Sequence, residues 1–131
     1  MVPPQWWAVP MAKKEHWPLE VIVAVTSTEA KGVSSGEGME CSRPTSPYYN
    51  AWLRDAAADF TTASDAISSK DFAALGAVAE LSCLKMHSVM LTSRPTLSYW
   101  TPASITCMDR VRELRAKGND VFFTVDAGPQ I

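Results

Sequence analysis

The chain has 131 residues, 47% of them hydrophobic and 20% charged, a balance that describes one globular domain and excludes a disordered or collagen-like chain. Its 12 basic and 14 acidic residues leave a formal net charge of -2, so no basic field argues for a nucleic-acid or membrane partner. The longest strongly apolar run, around Val21 to Val25, is too short to cross a bilayer.

Residues 1–18 are rich in proline and tryptophan and read as an irregular lead-in, with no charged and leucine-rich leader. The first regular element is Leu19 to Ser27, a β-branched run that is apolar on both faces and predicts a strand internal to a sheet. Thr28 to Pro47 is rich in Ser, Gly and Thr and reads as loop with room for one short helix. Ser46-Pro47 then gives a helix start, a serine cap followed by proline at the first helical position. Tyr49, Trp52, Ala56, Phe60, Ala63 and Ile67 follow at steps of three and four, which predicts one buried stripe.

Residues 68–71 break that helix, and Asp71 can cap the next, whose stripe runs Phe72, Leu75, Ala79, Cys83, Met86 and Met90. Thr101-Pro102 repeats the cap-plus-proline signal for a third helix with Ile105, Met108, Val111 and Leu114 inward. On its wet side Asp109/Arg112 and Glu113/Lys117 can pair. Gly118 supplies a left-handed stop, and Val121 to Val125 reads as a second strand running into Asp126-Ala127-Gly128-Pro129. The predicted class is α+β, with three long helices on a mostly antiparallel sheet. Two strands do not make a stable sheet, so further strands are expected from the lead-in or from outside the chain.

Few residues are candidates for chemistry. Cys41, Cys83 and Cys107 lie far apart with no CxxC pair, which supports neither a disulfide framework nor a zinc knuckle and fits a reduced, cytoplasmic chain. His16 sits in an irregular stretch, and His87 follows Cys83 by four residues on one helix face. Two ligands do not complete a zinc site, so no metal is assigned. Ser34 to Gly38 is small and flexible but lacks the phosphate-loop lysine, and a surface turn is the plainer reading. The sharpest feature is Asp126 at the end of the last strand, followed by Gly128, a common way to present a catalytic base. On spacing alone, an ordinary turn aspartate fits as well.

The blocks HWPLEVIVAV, SSGEGM, TSPYYNAWL, LKMH, SYWTP and FFTVDAGPQ together resemble the C-terminal half of the diphosphomevalonate decarboxylase family. That family belongs to the superfamily of galactokinase, homoserine kinase, mevalonate kinase and phosphomevalonate kinase. The most specific part is Asp126 to Pro129, where the family continues with asparagine and this chain has Gln130. The resemblance implies that residues 19–131 are a C-terminal domain ending just after that motif, with the N-terminal ATP-binding domain absent.

It further implies decarboxylation of mevalonate 5-diphosphate to isopentenyl diphosphate, using ATP and Mg²⁺ at sites outside this chain, by a cytoplasmic enzyme that can pair as a homodimer when full-length. Asp126 matches the catalytic aspartate, and Ala127 and Gly128 would lie against the substrate. The chain by itself is expected to be inactive and prone to aggregate. Two other readings stay open: an α/β binding module using a sheet edge or Trp6-Trp7, and another small-molecule kinase or a phosphomevalonate decarboxylase of the same superfamily.

Overall fold

A computed structural model describes residues 8–131, and the Trp6-Trp7 pair lies outside those residues. Four helices form: α1 (Ser35–Thr45), α2 (Tyr49–Ser69), α3 (Phe72–Leu91) and α4 (Pro102–Ala116). Among the described residues there is no strand and no sheet. The α+β expectation is therefore overturned, and so are both expected strands.

The reason is visible in where the backbone groups go. Among the described residues no strand lies beside residues 19–25, and Val21 is 88% and Ile22 84% exposed. Ala24 and Ile131 exchange both backbone hydrogen bonds, at 2.7 and 3.3 Å, and one exchanged pair is not a ladder. High β-propensity measures fit to a pleated, half-buried surface, and no such surface is supplied here.

The helix starts follow local chemistry. Asp71 caps α3 by accepting from the Ala74 amide at 2.9 Å. Thr101 caps α4 by accepting from the Ser104 amide at 3.1 Å, with Pro102 at the first position. Gly118 follows α4 at φ +90°, the left-handed conformation that stops a helix cheaply only at glycine. The Asp109–Arg112 pair forms at 2.8 Å, whereas Glu113 pairs with Arg110 rather than Lys117. Ser46 is not the α2 cap residue; it ends α1, and its hydroxyl accepts from the Tyr48 amide at 3.3 Å. Helix α1 occupies the expected loop. Ser34 and Glu37 close a capping box at its start, which supplies what its sparse apolar content does not.

Helix α3 is the centre of the fold. Helix α2 packs along it and α1 touches it. By length and composition α3 is apolar enough to cross a membrane, but Leu75, Cys83, Val89 and Met90 are buried within the fold. Lys85 on the same helix reaches Asp59 of α2 at 2.9 Å. Cys83, Met108, Phe123 and Val125 form the main buried cluster, flanked by Trp100, Val111 and Ile131. The segment 121–131 is thus clamped between α3 and α4 without belonging to a sheet. The stripe expected on α2 is only partly covered: Tyr49 is buried, whereas Phe60 is 69% exposed.

Candidate functional site

Asp126 is exposed at the start of a turn whose flanks are fixed. Within the turn the Gly128 amide donates to the Asp126 carbonyl at 2.8 Å. The Ala127 carbonyl accepts from Lys31 Nζ at 2.8 Å, and Lys31 also lies 5.9 Å from the centre of the Tyr99 ring. Past the turn, the Pro129 carbonyl accepts from Ser104 Oγ at 2.6 Å and from Thr26 Oγ1. Gln130 bridges to the 26–27 segment, accepting from the Thr26 amide at 2.7 Å and donating to the Ser27 carbonyl at 2.6 Å. Gln130 is therefore an anchor for the turn.

Gly128 has a local reason to be glycine. A Cβ at that position would stand 3.0 Å from Asp126 Oδ1, close enough to displace the carboxylate. Ala127 and Gly128 are themselves buried, so they shape the turn from beneath while Asp126 faces outward.

An open groove of about 540 Å³ runs between α2, α3 and residues 124–126. Trp52, Phe60 and Met86 supply apolar walls, and Asp59, Ser82 and Asp126 supply polar atoms. Lys85 Nζ engages both oxygens of Asp59, at 3.0 and 2.9 Å, and reaches Asp55 at 3.1 Å. Among the described residues no donor occupies the Asp126 carboxylate. An exposed, uncommitted carboxylate on a fixed turn can accept a proton or orient a hydroxyl.

The other sequence candidates go elsewhere. His16 Nε2 donates to the Ile67 carbonyl at 2.9 Å and ties the lead-in to α2. Ser34 caps α1, and Ser35 to Gly38 form its first turn. Cys83 and His87 do share a face of α3, and they meet the backbone of Val125 at 3.2 and 3.3 Å. Among the described residues no three His, Cys, Asp or Glu side chains converge as metal ligands. The anchoring roles of Lys31, Thr26, Ser104 and Gln130 are not legible in the sequence. Lys31 lies 96 positions from the residue it holds, and no local spacing encodes such a contact.

Burial shapes the titration of the groups behind Asp126. It pushes the Cys83 thiol above its ordinary value, so the sulfur stays protonated. It also holds His87 below the ordinary imidazole value, outweighing the opposing pull of the Val125 and Asp126 backbone and of the Asp126 charge. As pH falls, the unfolded chain therefore takes up this proton before the folded one does. The stability from neutral His87 is complete above about pH 6.5, the unfolded imidazole value, and is lost as pH falls through the lower folded value. The denaturant midpoint should be level above about pH 7 and decline below about pH 6.5. His87→Gln should remove the upper part of that decline, and the same decline in wild type and variant would refute the assignment. Glu37, held low by Ser34, adds its own loss only below the ordinary carboxylate range.

Known proteins are similar to this chain in sequence and in fold. The chain is 30% identical over 130 residues to a Ganoderma lucidum diphosphomevalonate decarboxylase, covering 93% of this chain and 32% of that protein. It superposes on mevalonate diphosphate decarboxylase from Staphylococcus aureus with TM-score 0.77 and 39% identity, covering 82% of this chain and 33% of the other. The Enterococcus faecalis enzyme, solved in a study of mevalonate diphosphate-mediated ATP binding, gives TM-score 0.71 and 41% identity over 74% of this chain and 30% of that one. The chain thus spans about a third of the length of the curated relatives it matches. The family model for the mevalonate 5-diphosphate decarboxylase C-terminal domain matches residues 21–131; the chain belongs to that family.

Proposed function

We propose that this chain supplies the catalytic carboxylate of an ATP-dependent decarboxylase that converts mevalonate 5-diphosphate to isopentenyl diphosphate in the cytoplasm. The observation that carries the reading is Asp126, exposed on a turn fixed by Lys31, Ser104 and Thr26, with no donor among the described residues on its carboxylate. Its place in the family's DAGP motif, within a chain of that family, gives the carboxylate its substrate.

A tertiary alcohol is a poor nucleophile. Asp126 orients the 3-hydroxyl of the substrate and takes its proton as the oxygen attacks. ATP with Mg²⁺ supplies the phosphoryl group that makes this oxygen a leaving group. Loss of phosphate and CO₂ then forms the double bond, so one ADP, one phosphate and one CO₂ accompany each isopentenyl diphosphate. Gly128 keeps space beside the carboxylate, and Lys31 fixes the neighbouring Ala127 carbonyl. Among the described residues no three His, Cys, Asp or Glu side chains converge as a metal site.

The test joins this chain to the N-terminal region of the Enterococcus faecalis relative and follows products from mevalonate 5-diphosphate and ATP. Equal release of ADP, phosphate and CO₂ is the expected result. ADP without CO₂ would instead place the chain among the small-molecule kinases of the superfamily. A fusion that binds mevalonate 5-diphosphate but turns over neither way would overturn the assignment.

A further inference from the structure

The segment that leads to Asp126 belongs to no sheet among the described residues, yet several of its backbone groups have partners. Four positions of α3, Gly76, Glu80, Cys83 and His87, follow one another at steps of four, three and four, and so lie along one face. Each meets the 122–125 segment. A Cβ on Gly76 would lie 3.1 Å from Phe122 Cβ, so glycine lets the segment come close. Glu80 Oε1 accepts from the Phe123 amide at 3.3 Å while its carboxylate is held by Arg115 at 2.7 and 3.1 Å. Cys83 Sγ accepts from the Val125 amide at 3.2 Å. His87 Nε2 meets the Val125 carbonyl at 3.3 Å, and because a carbonyl only accepts, the imidazole must carry its proton on Nε2. His87 is 2% exposed and covered by the Trp100 ring at 4.6 Å.

We propose that Cys83 and His87 are positioning residues for Asp126, holding both polar groups of Val125 so that the next residue's carboxylate is presented at a fixed place on the groove. The proposal rests on the reading of Asp126 given above. Backbone groups that cannot be paired in a ladder must be satisfied elsewhere when buried, and here one helix face pairs the Phe123 amide and both polar groups of Val125. His87 contributes the bond nearest the carboxylate, since the Val125 carbonyl belongs to the peptide unit that Asp126 completes. A rigid peptide on that side limits the rotation available to Asp126, and misplacing a reacting group by about 1 Å costs up to about 10²-fold in rate.

The test has two arms. In the first, the unsubstituted chain is labelled with ¹⁵N, and the tautomer of His87 is read by NMR near neutral pH. The expected signature is a neutral ring protonated at Nε2; a ring unprotonated there would overturn the proposal without any variant. In the second, the joined enzyme described above carries His87→Phe, His87→Gln or Asp126→Asn. His87→Phe should lower kcat by about tenfold or more with KM within about twofold. His87→Gln, which keeps a donor, should recover most of that loss. Where His87→Phe does not fold, the tautomer and the glutamine variant decide. Full kcat in His87→Phe alongside an inactive Asp126→Asn would overturn the positioning role and leave the Asp126 reading intact. Glutamine as slow as phenylalanine would likewise overturn it. Undiminished turnover by Asp126→Asn would instead overturn the reading on which the proposal rests.

Discussion

Asp126→Asn should reduce decarboxylation of mevalonate 5-diphosphate by about 10² to 10⁴-fold, the range set by loss of a positioned general base. The substitution is nearly isosteric, so the turn should persist. Its fixed points, Lys31 on the Ala127 carbonyl and Ser104 with Thr26 on the Pro129 carbonyl, do not involve the altered side chain. The amide cannot take the proton of the 3-hydroxyl, yet it can still accept a hydrogen bond from it. The loss should therefore fall on kcat, with substrate affinity nearly unchanged. Steady-state rates of CO₂ release in the joined enzyme measure it directly. A variant within about threefold of wild type would deny Asp126 the role of base.

Phe123→Ala should be the most damaging single change to the fold, at about 3–5 kcal/mol. Phe123 is buried at the centre of the cluster it forms with Cys83, Met108 and Val125. Its ring lies 5.1 Å from the Arg112 guanidinium, and truncation removes that attraction as well. Against a domain stability of about 5–15 kcal/mol, such a loss is a large fraction of the total. The denaturant midpoint should drop sharply with little change in slope. A shift equivalent to less than about 1 kcal/mol would mean that the cluster collapses around the gap, contrary to its close packing.

The sequence patterns legible in this chain are those enforced locally. The Asp71 cap, the Thr101-Pro102 start and the Gly118 stop are each decided by a few neighbouring residues, and all three operate as read. The helices they bound follow for the same reason. The runs at 19–27 and 121–125 were misread because β-branched residues report a preference for extended backbone, whereas a strand also needs a partner chain. Among the described residues, 19–25 have none and form no strand. Residues 121–125 take their partners from side chains of α3, which no alternation of apolar residues announces. Residues 28–47 left room for one short helix without fixing its bounds, because Ser34, Gly36 and Gly38 read as turn; a capping box and packing on α3 set α1 at Ser35–Thr45.

The site divides along the same line. Asp126 and Gly128 could be singled out from the run Thr124 to Pro129. The groups that hold them could not, since Thr26, Lys31 and Cys83 reach the motif across 103, 96 and 42 positions. Contacts of that span are set by the fold as a whole.

The support of residues 122–125 by one helix face has a consequence for how such a site can change over generations. A β-ladder bonds through main-chain atoms that every residue except proline possesses, so its geometry is nearly blind to side-chain identity. Here the corresponding bonds are made by Glu80, Cys83 and His87, each specified by its own codon. A single substitution can lengthen or remove one support and leave the others in place. The carboxylate's placement is thereby open to selection in small separate increments, whereas a ladder offers only coarse shifts of register.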